Sequence, residues 1–298
     1  MKSRFRLQLL LVSQLMLLPF FQGCAALRES PFSEPQGQAR LIAATVDKLV
    51  KAGILKKPDQ PDFKADGHFY TVYYVASLAR VEQRLRLTCF AQAPDAILLY
   101  NAVPVSIWGV FTPKYRSHIV NSLHSLHGGD HAAVVHRRNT LQRLVSESYA
   151  GRKPDWQTGF LIHALGDSYA HVHGPFESSV AYGEAVGHGF SWFSDPDNIY
   201  QGENYKKYNA YALALFDALA RGDSQEGRAQ LTIFTQALAD AVQHQQPHPG
   251  SLTPILSTQA TGTADLSACK DMHGEITTSA AKAFLSELTA ALKSPTAR

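Results

Sequence analysis

His163-Ala-Leu-Gly-Asp167-Ser-Tyr-Ala-His171-Val-His173 sets three imidazoles and a carboxylate in a helical apolar frame. At about 100° per residue, positions 163, 167 and 171 advance by roughly 40° each and rise about 6 Å per step, so they stack along one helix face. Two imidazoles and a carboxylate then converge on one groove. Transition metals need such a set, with neutral nitrogen and anionic oxygen donors held about 2.0 to 2.2 Å from the ion. The carboxylate can also bridge two ions about 3.5 to 4 Å apart. His173 leaves that face unless the helix unwinds, which Gly174-Pro175 permits. The alternative is a buried polar seam in which His163 and Asp167 only hydrogen-bond; three His around one Asp, in a His-dense chain, favour a metal.

Outward from this segment the apolar spacing stays helical. Asp155 is the expected N-cap of the central helix and Gly174-Pro175 its stop. Leu41, Ile42, Thr45, Val46, Leu49 and Val50 predict an amphipathic helix over 38–52, ended by Gly53. Further helices are expected at 68–80, 84–103 with a break near Pro94, 115–126, 132–150, 156–173, 203–220, 225–245 and 276–293. No two runs of alternating β-branched residues are long enough to pair as a sheet. The fold class expected is therefore all-α, a multi-helix bundle over 38–298 with a long Pro/Thr/Ser/Gly loop at about 247–267. The segment 174–202 is also too long to be a mere connection.

The chain has 298 residues, 45% of them hydrophobic, enough for a substantial core. Its 28 Lys+Arg against 25 Asp+Glu leave a net charge of +3. That excess equals Lys2, Arg4 and Arg6, all within 1–23, a segment without acids, so the chain beyond it is formally neutral. A strongly basic nucleic-acid binder is excluded and nucleic acid is an unlikely partner. Ten of the 13 His fall between His68 and His188, which points to metal or proton chemistry.

Residues 1–23 combine a basic start with an apolar run, Leu7 to Phe21, too short for a comfortable membrane span. Gly23-Cys24 then resembles a bacterial lipobox, in which the Cys becomes an acylated N-terminus. The protein is expected to be exported as a lipoprotein, with acyl chains such as palmitate on Cys24 and a tether over 24–37. Ala25, not Asp, after the Cys suggests the outer membrane. An ordinary cleaved signal with a free Cys24 thiol is the alternative. Cys89 and Cys269 either bridge in an oxidising compartment or remain two buried thiols, and without a CxxC pair no cysteine zinc site is expected.

The run HALGDSYAH resembles the H-x-L-x-D-x-x-A-H helix of bacterial zinc-dependent phospholipase C relatives, an all-helical superfamily that also contains P1-type nucleases. The resemblance implies a cluster of two or three Zn2+ ions held by several helices. His163 and Asp167 match the His-x-x-x-Asp pair, and His171 or His173 the next ligand in different branches. From about Asp66 to Tyr211, smaller pieces resemble an uncharacterised bacterial branch. Asp66-Gly67-His68 with Tyr70 looks like its opening, which makes His68 a ligand; Gln92-Ala93-Pro94-Asp95 offers Asp95 as bridging carboxylate and water-orienting catalytic residue. His124-Ser125-Leu126 offers His124, and Gly187-His188-Gly189 with Pro196-Asp197 offers His188. Two departures stand out. The family's phospholipases use the mature N-terminal amino group and its Trp as ligands, and an H-x-x-x-E pair follows their central helix, where this chain has Trp192. One metal position is either missing or rebuilt from Asp195 or Asp197.

His118, His131 and His136 read as solvated or supporting groups, His244, His248 and His273 as exposed. The resemblance implies an exported, membrane-tethered, zinc-dependent phosphoester hydrolase acting on phospholipid. A non-catalytic metal-binding or interaction lipoprotein on the same scaffold is the alternative from another class, and a P1-like nuclease the further one.

Overall fold

Nearly every side chain of the central segment is buried, from Trp156 and Thr158 through Ala170, so the helix Asp155–Ala170 has no solvent face. Such a helix must be surrounded by others. The computed structural model describes residues 66–184, 199, 201–243, 269 and 271–293. The leader, Cys24, the tether, the helix expected at 38–52, His188 and the loop at 247–267 lie outside the described residues.

In chain order the elements are a π-helical turn Asp66–Tyr70, α1 (Thr71–Leu78), α2 (Arg84–Ala96), α3 (Ala102–Trp108), α4 (Pro113–Ser117) and a second π-helical turn His118–Leu123. Then come α5 (His131–Ala150), α6 (Asp155–Ala170), α7 (Asn204–Leu219), α8 (Gln225–Gln243) and α9 (Thr278–Lys293). The all-α expectation holds: the one exception among the described residues is a ladder of two-residue strands, β1 (Val172–His173) antiparallel to β2 (Val180–Ala181). Central α6 packs on α2, α5 and α7. It comes very near α2 at Gly159, where a Cβ would lie 2.3 Å from Phe90 Cβ and 2.9 Å from the Ala91 nitrogen. Only glycine admits a backbone that near. All described residues belong to one unit, 49–298, and none of their helices is long and apolar enough to cross a membrane.

Three boundaries differ from expectation. Asp155 is the first helical residue of α6, with Pro154 as N-cap. Its carboxylate is drawn to Arg86 at 2.5 Å, where it still favours the positive helix start. Arg86 also forks onto Glu275 at 2.6 and 3.0 Å, joining α2, α6 and the segment before α9. Second, α6 stops at Ala170, four residues before Gly174, because Val172 and His173 leave it to pair with β2. Third, Pro94 lies inside α2, and the break comes at Ile97 to Asn101, where Asn101 Oδ1 caps α3 by accepting from the Val103 N–H at 3.0 Å. Cys89 and Cys269 form a disulfide that closes 180 residues and packs with Phe69. That settles the choice between bridge and free thiols.

Candidate metal centre

Five side chains, His68, Asp95, His124, His163 and His171, meet around Asp167, and each arrives by a local device. His68 stands in the first π-helical turn and His124 directly follows the second; such turns recur at functional sites because the extra residue re-aims the side chain. Asp95 comes from the end of α2, just after Pro94. His163 and Asp167 share a face of α6, and His171 is its C-cap. Gly166 cradles His68, since a Cβ there would lie 2.8 Å from His68 Cε1.

Backbone carbonyls fix the rings. A carbonyl can only accept, so the nitrogen facing it carries the proton. His163 Nδ1–H donates to Ala91 O at 2.9 Å, His124 Nε2–H to Tyr100 O at 2.8 Å, and His171 Nδ1–H to His124 O at 2.6 Å. The remaining lone pairs of His163 and His124 then point inward. His163 Nε2 lies 3.2 Å from His124 Nδ1 and 3.2 Å from Asp167 Oδ2; His124 Nδ1 lies 2.9 Å from that oxygen. His68 Nε2 is 2.9 Å from Asp167 Oδ1. Asp95 Oδ2 is sealed from solvent without a hydrogen-bond partner.

Three acceptors within hydrogen-bond distance of one another repel unless a cation lies between them. A proton on one ring or a metal ion supplies it, and imidazoles anchored through their outer N–H are the usual support of metal ligands. The donors form two sets, His68 with His163 and Asp167, and Asp95 with His124 and His163. These buried groups can hold a metal ion. Because His163 has one inward lone pair, it serves one ion at a time.

The charges agree. Burial alone would raise the Asp167 carboxyl, yet the charges of His171, His163 and His68 and the His124 hydrogen bond hold it well below the usual range. Burial also pushes Asp95 up, and His163, His68 and His124 overcome that and bring it down. His163 would be kept neutral by burial, but Asp167 and Asp95 raise it. His68 is lowered, first by burial and then by the neighbouring His163. Two ionised carboxylates thus call for positive charge in the cluster.

The structure brings together His68, Asp95, His124, His163, Asp167 and His171, and does not bring His173 to them. On β1, His173 is exposed and its ring lies 4.9 Å from that of Tyr182. Among the other histidines, His118 is partly buried and joined through Nδ1 to Thr289 Oγ1 at 2.6 Å, while His273 is half-buried and not exposed. Sequence reasoning missed the carbonyls of Ala91, Tyr100 and His124, which no side chain encodes. It also passed over Gly159 and Gly166, whose signal was available: mid-helix glycine costs about 1 kcal/mol relative to Ala and implies a close approach. Ser125, with φ of 54°, pins its strained turn by donating from Oγ to Ala164 O at 3.1 Å. Comparison with family models, curated proteins and solved structures finds no match for this chain.

Proposed function

We propose that the protein is an exported, membrane-tethered, zinc-dependent hydrolase of phosphoester bonds, similar to phospholipase C. The observation that carries this reading is the set of His lone pairs, locked by backbone carbonyls, that converge with Asp167 while Asp95 Oδ2 stays unspent. His68, His163, Asp167, Asp95 and His124 would hold zinc, with His171 beside them. Zinc bound there would lower the pKa of water to about 7 and offset charge on a phosphoryl oxygen. The unspent oxygen of Asp95 is free to take a water proton or a cation. Its neighbours His163 and His124 keep it ionised, and their anchored rings hold the donor geometry without reorganisation. The disulfide suits an oxidising compartment and so supports export.

A second reading, a non-catalytic metal-binding lipoprotein, is favoured by how closed the centre is: His68, His124, His163 and Asp167 are at most 2% exposed and His171 7%. Structural sites are closed, whereas catalytic ones keep an open position.

Elemental analysis of the purified protein, with assays on phosphatidylcholine, single-stranded DNA and a chromogenic phosphodiester, decides between them. The hydrolase reading expects at least one zinc equivalent and activity lost on chelation and restored by zinc. Asp167→Ala should lose metal and stability together, and Asp95→Asn should lower turnover more than metal content. Zinc-loaded protein inert on all three substrates selects the binding reading, and unchanged metal content in Asp167→Ala selects a polar seam. Mass analysis of the mature N-terminus tests acylation at Cys24, and a free terminus would overturn the tether.

A further inference from the structure

Two buried cations sit at the C-terminal end of α6, outside the His/Asp cluster. Arg138 on α5 and Lys207 on α7 are each 6% exposed, and among the described residues no carboxylate lies within ion-pair distance of either. Arg138 Nε–H donates to Ser168 O at 3.1 Å, and the guanidinium stacks 4.2 Å from the Tyr169 ring centroid and 5.6 Å from that of Phe176. Lys207 Nζ donates to Val172 O and to Asn204 Oδ1, both at 3.2 Å. Ser168 lies in the last turn of α6 and Val172 four residues on in β1, so the two cationic heads are tied to one short stretch, and the charge of Arg138 reaches Lys207.

After these bonds the donors are not exhausted. Arg138 Nη2 is sealed from solvent with no partner, and the ammonium of Lys207 keeps one of its three protons. Backbone carbonyls and aromatic faces carry only partial charges, and an unpaired charge in the interior is strongly disfavoured. Burial and the charge of Arg138 both act to depress Lys207, to about 8. Glu203, whose charge acts on Lys207, is engaged elsewhere, accepting from Lys206 Nζ at 2.5 Å and the Phe176 N–H at 2.8 Å. Solvent is close at hand: Gly174, Pro175, Glu177 and Ser178, around the Phe176 that lies against Arg138, are all exposed.

We propose that Arg138 and Lys207 form an oxyanion site for one phosphate-type group, held by the Nη2 edge of Arg138 and the remaining Nζ proton of Lys207. A planar guanidinium edge and a point-charged ammonium are the pair that matches the several acceptor oxygens of such a group. The group can be free inorganic phosphate or the phosphate of a larger molecule. The site is independent of the metal reading, because none of its donors belongs to the cluster.

Calorimetric titration and thermal unfolding of the full chain with sodium phosphate, against sodium chloride at equal ionic strength, test the site. Phosphate should bind and raise the unfolding temperature. Lys207→Met should weaken phosphate binding at least about tenfold, the value of one lost charged hydrogen bond, while leaving stability in chloride unchanged or higher. Arg138→Gln should give the same loss of binding. Repeating the titration after EDTA separates the two centres: binding here survives chelation. Absence of phosphate binding, equal binding by both variants, or binding abolished by EDTA would each overturn the proposal. With glycerol 3-phosphate as the second probe, equal affinity assigns the site to esterified phosphate and much weaker affinity to the free anion, both within the proposed chemistry.

Discussion

At the scale of single residues the centre depends on a missing methyl group as much as on the ligands themselves. Gly166→Ala sets two effects against each other. Helix propensity gains about 1 kcal/mol, while the added Cβ, 2.8 Å from His68 Cε1, costs about 1–3 kcal/mol of overpacking. The expected outcome is a small change in urea midpoint with a clear loss of bound metal, because His68 is the group that must yield. A comparable midpoint and full metal content would show that His68 is not needed. His127 gives a second test at this scale. Burial first, then the charge of Arg137, lowers it to about 4 against the pull of Asp130. Its folded-state value lies below the unfolded value of about 6.5, so the unfolded chain takes up the proton first as pH falls. Stability is full above about 6.5 and is lost toward 4. The stability difference between wild type and His127→Gln should therefore shift steadily against wild type across that window, and a constant difference counts against the assignment.

Between elements, the disulfide and the Arg86 fork act together. Cys89 is two residues before Ala91, whose carbonyl holds His163, and Phe69 in the same apolar cluster follows His68. The bridge thus fastens the segment before α9 behind two of the elements that bear the centre. A link closing 180 residues is worth about 2–5 kcal/mol, on the range seen for such bridges. Cys89→Ser should lower the urea midpoint accordingly, and metal affinity should fall with it because the Ala91 carbonyl loses its backing. A variant as stable as wild type would mean that the Arg86 fork and the apolar contacts of Phe69 suffice.

For the whole molecule, donors drawn from the first π-helical turn, the residue after the second, α2 and α6 would make metal binding a folding interaction. Metal at 100 to 1,000 times its dissociation constant contributes roughly 3–4 kcal/mol, which for a domain of this size is on the order of 10 °C in unfolding temperature. EDTA should remove that increment and zinc restore it; an unmoved melting curve would leave a hydrogen-bonded seam at the core. The sequence by itself determined the helices and the 163–167–171 face, because a 3.6-residue period is local and apolar burial follows it. It also picked out His68, Asp95 and His124 for the centre, though only through a resemblance, since nothing in local spacing links positions up to 99 residues apart. Tertiary structure alone decided the rest. It joined Cys89 to Cys269, chose the outward nitrogen of the His124, His163 and His171 rings through a carbonyl on another segment, and turned His173 to solvent when a two-residue ladder ended α6 early. The disulfide needed two thiols 180 residues apart to meet, and the other two outcomes depend on long-range pairing of backbone groups, which no side chain announces.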